Sequence, residues 1–168
     1  MQKDKNGFPK RSEKMGRDQS LKLPRLRLDW TPDIMNEQCK GYLPELIGME
    51  LVSVEPGKLS SRLKVRHDLM APNGFLHAAT IVGLADTTCG LGTLAHLPEG
   101  AESFTTVELK INFLGTVREG AISCVAQLEH SGKTLQVWGT EVTNEASGQR
   151  IALFRCTQII LWPKVRVV

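Results

Sequence analysis

Asp86 is the residue of this chain whose type and position point most directly to chemistry. It lies in the middle of a stretch, residues 76–95, that is otherwise small, apolar or hydroxyl-bearing. The stretch has no broad polar face, which predicts a helix surrounded by protein. Burying an ionised carboxylate is costly unless partners compensate, so a lone acid here is a candidate base or nucleophile with a shifted pKa. The structural alternative is an acid that caps a neighbouring loop or forms an internal ion pair.

Length and composition indicate one soluble globular domain. The chain has 168 residues, of which 41% are hydrophobic and 23% are charged. No apolar run approaches the roughly 18 residues of a membrane span, so we expect no membrane partner. The cysteines stand 32 to 50 positions apart without the spacing of a zinc site, which predicts reduced thiols, no metal ion and a cytoplasmic location. They are Cys39, Cys89, Cys124 and Cys156.

Positive charge is concentrated at the N-terminus. Residues 1–28 carry nine Lys or Arg against three Asp or Glu, which is +6, whereas the whole chain carries +3. Because this region has little periodicity and no signal-peptide core, we predict a disordered basic arm over residues 1–30 and one domain over residues 31–165. A solvated tail explains the arm better than nucleic-acid binding, since aromatic residues are few and no helix-turn-helix pattern is present.

Two elements are predicted before the central helix. Residues 31–33, Thr-Pro-Asp, are a good helix start, and the segment that follows ends near Gly41 or Gly48. A Pro-Gly pair separates two partly apolar stretches, residues 51–54 and 59–65, which predicts a hairpin.

Four strands are predicted after the central helix, which itself follows a turn at residues 71–74. Residues 106–113 alternate strictly between polar and apolar side chains, the pattern of a half-buried strand. Three further strands separated by turns complete the chain. These strands are residues 122–128, 135–143 and 150–161. The order of elements predicts an α+β fold in which a curved antiparallel sheet wraps the helix, with free sheet edges that favour a homodimer.

Residues 73–79, Asn-Gly-Phe-Leu-His-Ala-Ala, and residues 84–87, Leu-Ala-Asp-Thr, resemble the HGG...LAD pattern of hotdog-fold acyl-CoA thioesterases of the phenylacetate-pathway (PaaI) type. The resemblance covers residues 45–161, about two thirds of the chain. Later segments match the family's strands in order, at residues 106–114, 132–135 and 141–148. The resemblance implies a hotdog fold, with a long central helix and a curved sheet of five to six strands, and acyl-CoA hydrolysis.

The resemblance also implies catalytic roles. Asp86 would attack the thioester carbonyl or activate a water, while the backbone N–H of Ala78, at the positive end of the helix dipole, would polarise that carbonyl. His77 would hold the helix start in place or take part in catalysis, and the supporting role fits better because the proton transfers fall on the acid. The hydroxyl of Thr106 would position the attacking water, although an ordinary strand threonine is an equal alternative.

The spacing of His77 and Asp86 bears on how the site is assembled. Nine residues of helix separate them by roughly 13 Å and place them on nearly opposite faces. One helix therefore cannot bring both to the same carbonyl, and the active site is predicted to lie across a dimer interface. Mixing an Asp86→Ala chain with a His77→Ala chain should then restore part of the activity.

Two departures from the family pattern concern the helix start. Ala78 and Ala79 replace two glycines; alanine keeps the N–H, but its methyl group narrows the path to the thioester. Ala71 stands where many members carry Asn or Gln. Asn73, two positions later, could substitute for that residue or belong only to the turn.

Further residues are expected to contact the substrate. Phe75, Asn112 and Phe113 fall at acyl-contact positions, although phenylalanines on a strand are more often core. Thr87 could hydrogen-bond the acid beside it. The full predicted substrate-binding set is Asn73, Gly74, Phe75, Thr87, Asn112, Phe113, Arg118 and Lys133.

Arg118 and Lys133 are the cations expected to bind the coenzyme A phosphates, with Arg150 third. The expected reaction is hydrolysis of a small or aromatic acyl-CoA by a dimer or tetramer. No separate cofactor is expected, because coenzyme A is part of the substrate.

Two other functions share the expected fold. A non-catalytic acyl-CoA sensor is favoured by Ala71 and by the Ala78-Ala79 pair, but a buried carboxylate beside an anionic ligand argues against it. An enoyl-CoA hydratase would need an Asp and a His close together on one loop. Thiol release from a panel of acyl-CoAs distinguishes all three functions.

Overall fold

The computed structural model describes residues 25–27 and 29–164. Most of the predicted basic arm, and the predicted domain end at residue 165, lie outside the described residues. The helices are α1 (Pro32–Gln38), α2 (Leu43–Ile47) and α3 (Ala78–Ala95), with a 3-10 turn at His67–Leu69. The strands are β1 (Met49–Glu55), β2 (Lys58–Lys64), β3 (Ser103–Phe113), β4 (Ala121–Ser131), β5 (Leu135–Asn144) and β6 (Arg150–Leu161).

The segment predicted as one helix forms two, α1 and α2. Thr31 caps α1, since its side chain accepts a hydrogen bond from the Ile34 N–H at 3.3 Å. The chain turns between the helices at Gly41, whose φ is +79°, a conformation that suits glycine. Gly48 ends α2 in the left-handed region, and the Arg66 guanidinium donates to the carbonyls of the last turn. Of the two glycines named as possible ends, Gly48 ends α2, whereas α1 ends at Gln38 and Gly41 lies in the turn that follows.

The six strands form one antiparallel sheet in the order β1-β2-β4-β5-β6-β3. The predicted hairpin is β1 and β2, and the last three strands form a meander. Strand β3 does not pair with β4, which follows it in the chain; it crosses to the far edge and pairs with β6. One edge of β3 therefore carries no strand within the described residues, and Val107 and Leu109 on β3 are 49% and 43% exposed.

Helix α3 packs across one face of the sheet and is half-covered on its other side. Its buried residues recur at helical spacing and face the strands. These are Thr80, Ile81, Leu84, Ala85, Thr88, Cys89, Gly92, Thr93 and Ala95. Asp86 and its neighbours on the opposite face are only half-buried. The prediction of a helix surrounded by protein is thus wrong for a single chain, because α1 and α2 cover only part of that face.

A β-bulge at Val107 sets the orientation of the first half of β3. Thr106 pairs with Gln158 and Glu108 pairs with Thr157, so Val107 has no partner in the register with β6. Leu109 lies on the face of the sheet that packs against α3. Without the extra residue, Thr106 would lie on the opposite face. The strict alternation read from the sequence is therefore interrupted, and the interruption turns Thr106 inward.

The C-terminal end of α3 is anchored by buried polar groups. His96 Nε2 accepts the Gly57 N–H at 2.9 Å and its Nδ1 lies 2.7 Å from the Gly92 carbonyl oxygen. Burial lowers the pKa of His96, which favours the neutral ring that this bonding requires. Gln136 donates to the His96 carbonyl at 2.8 Å and accepts from the Trp138 indole at 3.1 Å. Each of these buried polar groups is paired.

All four cysteines are free; Cys39 is half-buried and the other three are buried. Burial raises the pKa of Cys124 to about 12, as expected of an inert core thiol. The expectation that no apolar segment approaches the length of a membrane span needs correction. Helix α3 is long and apolar enough to cross a membrane by length and composition alone. Half of this helix is buried within the protein, and core helices of soluble proteins meet the same criterion.

Candidate active site

Asp86 lines a cleft of about 290 Å³. Three parts of the fold form its walls: the segment joining α1 to α2, the half-covered face of α3, and the start of β3. The lining residues are Gln38, Cys39, Tyr42, Pro44, Asp86, Thr87, Gly90, Leu91, Leu94, Phe104 and Thr106. Most of this surface is apolar, so a carboxylate at its edge is poorly solvated.

The carboxylate of Asp86 has one side-chain partner among the described residues. Thr106 Oγ1 lies 3.5 Å from Asp86 Oδ1 and 2.9 Å from Gln158 Oε1. Burial raises the pKa of Asp86 above its ordinary value, and the contact with Thr106 opposes that shift. A carboxylate with a raised pKa is a stronger base once it is ionised. The predicted pair of Asp86 and Thr106 is therefore brought together.

The start of α3 presents a free backbone donor. His77 is the N-cap residue, and its Nδ1 accepts a hydrogen bond from the Ala79 N–H at 3.0 Å. The His77 N–H donates to the Leu69 carbonyl, which fixes the entry of the chain into the helix. No partner is found for the Ala78 N–H within residues 25–27 and 29–164. His77 thus has a capping contact, and the open N–H beside it suits a developing negative charge.

The loop before α3 is a tight turn. The Gly74 N–H donates to the Ala71 carbonyl at 2.9 Å, with Gly74 at φ +80°. Asn73 Oδ1 accepts the Phe75 N–H at 3.3 Å, as in an Asx turn. The side-chain oxygen of Asn73 is therefore engaged in the turn. Asn73 and Gly74 lie next to the helix start and outside the lining of the Asp86 cleft.

The two cations predicted for the phosphates lie at opposite ends of β4. Arg118 precedes β4, with its guanidinium 4.6 Å from the centre of the Phe75 ring. Lys133 follows β4, and its ammonium is 5.7 Å from the Trp162 ring. Eleven strand residues span roughly 33 Å, so one chain cannot bring both cations to one phosphate. Arg150, the third candidate, forms a 2.7 Å ion pair with Glu141.

Asn112 and Phe113 lie at the end of β3 remote from Asp86. Seven residues separate Phe113 from Thr106, which is roughly 23 Å along a strand. The chain beyond Phe113 leads to Val117, whose carbonyl accepts the Leu76 N–H at 3.0 Å. Phe113 therefore belongs to the same end of the protein as the helix start, and the residues predicted for the site form two separated groups on a single chain.

Several residues in the cleft, or in contact with its lining, were not anticipated from the sequence. Thr87, predicted to contact the substrate or to hydrogen-bond the acid, lines the cleft, but the side-chain partner of Asp86 among the described residues is Thr106. Gln158, Phe104 and Tyr42 were missed. Gln158 carries a detectable signal, because it is polar at a position where β6 alternates inward, whereas Tyr42 lies in an irregular segment without periodicity. No group of three or more metal-ligand side chains was found in the described parts of the chain.

The sequence model of the thioesterase superfamily matches residues 73–151 of this chain. The match begins in the turn before α3 and ends at the start of β6. It includes Asp86, His77, Ala78 and Thr106, the four residues predicted to be catalytic.

Individual relatives agree with this match. The 1,4-dihydroxy-2-naphthoyl-CoA hydrolase of Listeria monocytogenes is 34% identical over 115 residues, which span 68% of this chain and 92% of that protein. A solved thioesterase from Haemophilus influenzae superposes with a TM-score of 0.78 at 23% identity, covering 85% of this chain and 99% of its own. The PaaI protein of Escherichia coli gives a TM-score of 0.68 at 21% identity, covering 77% and 89%. At these identities the two solved structures support the fold alone.

Proposed function

The chain belongs to the thioesterase superfamily as a PaaI-type hotdog acyl-CoA thioester hydrolase, and we propose that it hydrolyses aromatic or small acyl-CoAs at a site shared by two protomers. One observation carries the proposal. The half-buried carboxylate of Asp86 and the N–H of Ala78, for which no partner is found in the described parts of the chain, occupy separate places on one helix. Eight residues of helix separate them by about 12 Å along the axis, too far for one thioester carbonyl.

The exposed edge of β3 supplies a route to a shared site. Two copies of this edge can pair about a twofold axis, which continues the sheet and covers Val107 and Leu109. Antiparallel pairing places the Phe113 end of one strand beside the Thr106 end of its partner. The helix start, which lies at the Phe113 end, is thereby carried toward the neighbour's Asp86. Each dimer would hold two such sites.

In the proposed reaction, Asp86 acts as a general base on a water held beside Thr106. The water oxygen attacks the thioester carbonyl carbon while its proton passes to Asp86, and the partner's helix start stabilises the oxyanion through the Ala78 N–H. Collapse of the tetrahedral intermediate breaks the carbon–sulfur bond. The proton held by Asp86 passes to the departing thiolate, so the products are the free acid and coenzyme A. No metal or separate cofactor enters these steps.

The size of the cleft favours a small acyl group. Its volume of about 290 Å³ is at the lower limit for ligand pockets. The apolar walls include Phe104, Leu91 and Leu94, and an aromatic wall suits a planar ring. The Listeria relative is named for an aromatic acyl-CoA, which agrees with this choice. We therefore place the acyl group against α3, beside Asp86, and the coenzyme A moiety toward the partner's helix start.

The test is thiol release from short, medium, long and aromatic acyl-CoAs, measured with a thiol-reactive dye. Benzoyl-type substrates should give the highest kcat/KM, and Asp86→Asn should lose about 10²- to 10⁴-fold in kcat, the usual contribution of a general base. Lys110→Gln, on the outer face of β3, is the control and should retain activity. A wild-type protein that binds all of these substrates and releases no thiol would refute the proposed function.

A further inference from the structure

Gln158 is a fully buried amide in contact with the candidate active site. It lies on β6, opposite Thr106 on one side and Gln136 on the other. Its Oε1 is 2.9 Å from Thr106 Oγ1, whereas its Nε2 has, among the described residues, only the weak acceptor Cys156 Sγ, at 3.4 Å. A buried polar side chain at a core position costs stability unless it is fully bonded. The position would suit an aliphatic residue, so the amide calls for an explanation.

The Thr106 hydroxyl has one proton and two candidate acceptors. The distance to Gln158 Oε1 is 2.9 Å, and the distance to Asp86 Oδ1 is 3.5 Å, at the limit for a hydrogen bond. The shorter contact holds the proton preferentially, so Thr106 opposes the raised pKa of Asp86 less than burial raises it. The lone pairs of Thr106 Oγ1 are then available on the cleft side, where they can accept a proton from a water.

We propose that Gln158 is a positioning residue, which fixes Thr106 as a hydrogen-bond acceptor toward the attacking water by taking the hydroxyl proton on its buried side. The inference rests on the proposed hydrolysis. A water between Thr106 and Asp86 donates one proton to each, and this leaves a lone pair directed at the thioester carbon. If Thr106 instead donated to Asp86, the carboxylate would be a weaker base and the water would lose its second acceptor.

The groups around Asp86 make this effect measurable. Cys39 and Tyr42, from the segment between α1 and α2, are the titratable side chains that line the same cleft, and β3 contributes Thr106 and Phe104. From β6 the neighbour is Gln158, which does not titrate. Asp86 is the only acidic or basic side chain among the described residues that line this cleft. In the proposed dimer, His77 at the helix start of the second copy also approaches this cleft and is unchanged in every variant below.

The decisive variant is Gln158→Met, which keeps the volume and removes the acceptor. The Thr106 proton should then turn to Asp86. The pKa of Asp86, followed by carboxyl NMR without substrate, should fall, and the acid limb of kcat/KM should move to lower pH. We expect kcat at the plateau to drop about tenfold, the worth of one hydrogen bond. If the methionine variant does not fold, Gln158→Asn, which withdraws the amide by one methylene, should give the same shifts.

Two controls separate positioning from a general loss of stability. Gln136→Met removes a buried amide from the neighbouring strand and should lower Tm without moving the pKa of Asp86. In a Thr106→Val background, Gln158→Met should have no further effect on kcat, because the two residues act as one unit. An unchanged Asp86 titration in Gln158→Met, or losses that multiply in the double variant, would overturn the inference. Wild-type thiol release tests the hydrolysis separately, and the NMR titration does not depend on turnover.

Discussion

Replacing Ala78 with proline removes the backbone N–H at the helix start and so tests the oxyanion assignment. Ala78 is the first residue of α3, the position where proline is best tolerated, because its N–H has no partner inside a helix. His77 before it has φ −65° and ψ 136°, extended values that a following proline allows. Ala78→Pro therefore removes the proposed donor without breaking a hydrogen bond of the fold, and Ala78 is exposed enough to accommodate the ring.

The expected losses in the Ala78→Pro variant are confined to the chemical step. Removing one oxyanion donor costs roughly 10²- to 10³-fold in kcat, or about 2.7 to 4 kcal/mol of transition-state stabilisation. Because the donor acts mainly on the oxyanion, the affinity for a non-hydrolysable acyl-CoA should change little. Folding stability should stay equal or rise by about 0.4 to 1 kcal/mol, the usual effect of a compatible proline.

The assay combines steady-state thiol release, calorimetric binding of the analogue and thermal unfolding. Ala78→Gly is the matched control, since it alters the side chain but keeps the N–H, and it should stay within a few-fold of wild type. A proline variant that folds and retains wild-type kcat would refute the assignment of the Ala78 N–H. Equal losses in the glycine and proline variants would refute it as well.

Three further predictions concern the acid, the cleft and the β3 edge. Because burial raises the pKa of Asp86, kcat/KM should fall on acidification, with a midpoint above the ordinary Asp pKa of 3.8. Since the ionised carboxylate is the destabilised form, Asp86→Asn should raise Tm at pH 7. It should give no gain once the pH is below both the folded and the unfolded pKa of Asp86. A Cβ at Gly90 would lie 3.2 Å from Phe104, so Gly90→Ala should lower kcat/KM for aromatic acyl-CoAs about tenfold, whereas Gly83→Ala, with 3.4 Å to Ile47, should not. Leu109→Lys places a charge on the exposed edge strand and should yield monomers in sedimentation, with activity lost in proportion to the fraction of monomer. An active monomer would contradict the shared site.

Regular elements of this fold could be predicted because their side-chain periodicity is visible in the sequence. The strand predicted at residues 150–161 coincides with β6, and the hairpin and the long helix were also found. The place of β3 at the far edge could not be read, because alternation does not specify which strand is the neighbour. The bulge at Val107 was equally hidden, since it depends on the pairing with β6.

The candidate site was predictable only where one residue type was out of place. Asp86 stood out as a lone acid in an apolar helix, and the resemblance added Thr106. Gln158 and Tyr42 reach the candidate site through contacts made across the fold, which no local pattern reports. The half-covered face of α3 was missed for a related reason: composition shows that a helix is apolar but not whether its cover comes from the same chain or from a second one.

The central claim is that the carboxylate of one protomer works with the helix start of another, and subunit mixing tests it most directly. Asp86→Asn and Ala78→Pro chains, each nearly inactive, are unfolded together and refolded at equal concentration. Random pairing makes half of the dimers mixed, each with one intact site, so about 25% of wild-type activity should return. A mixture that forms mixed dimers, verified by mass, and remains as inactive as its parents would contradict the account.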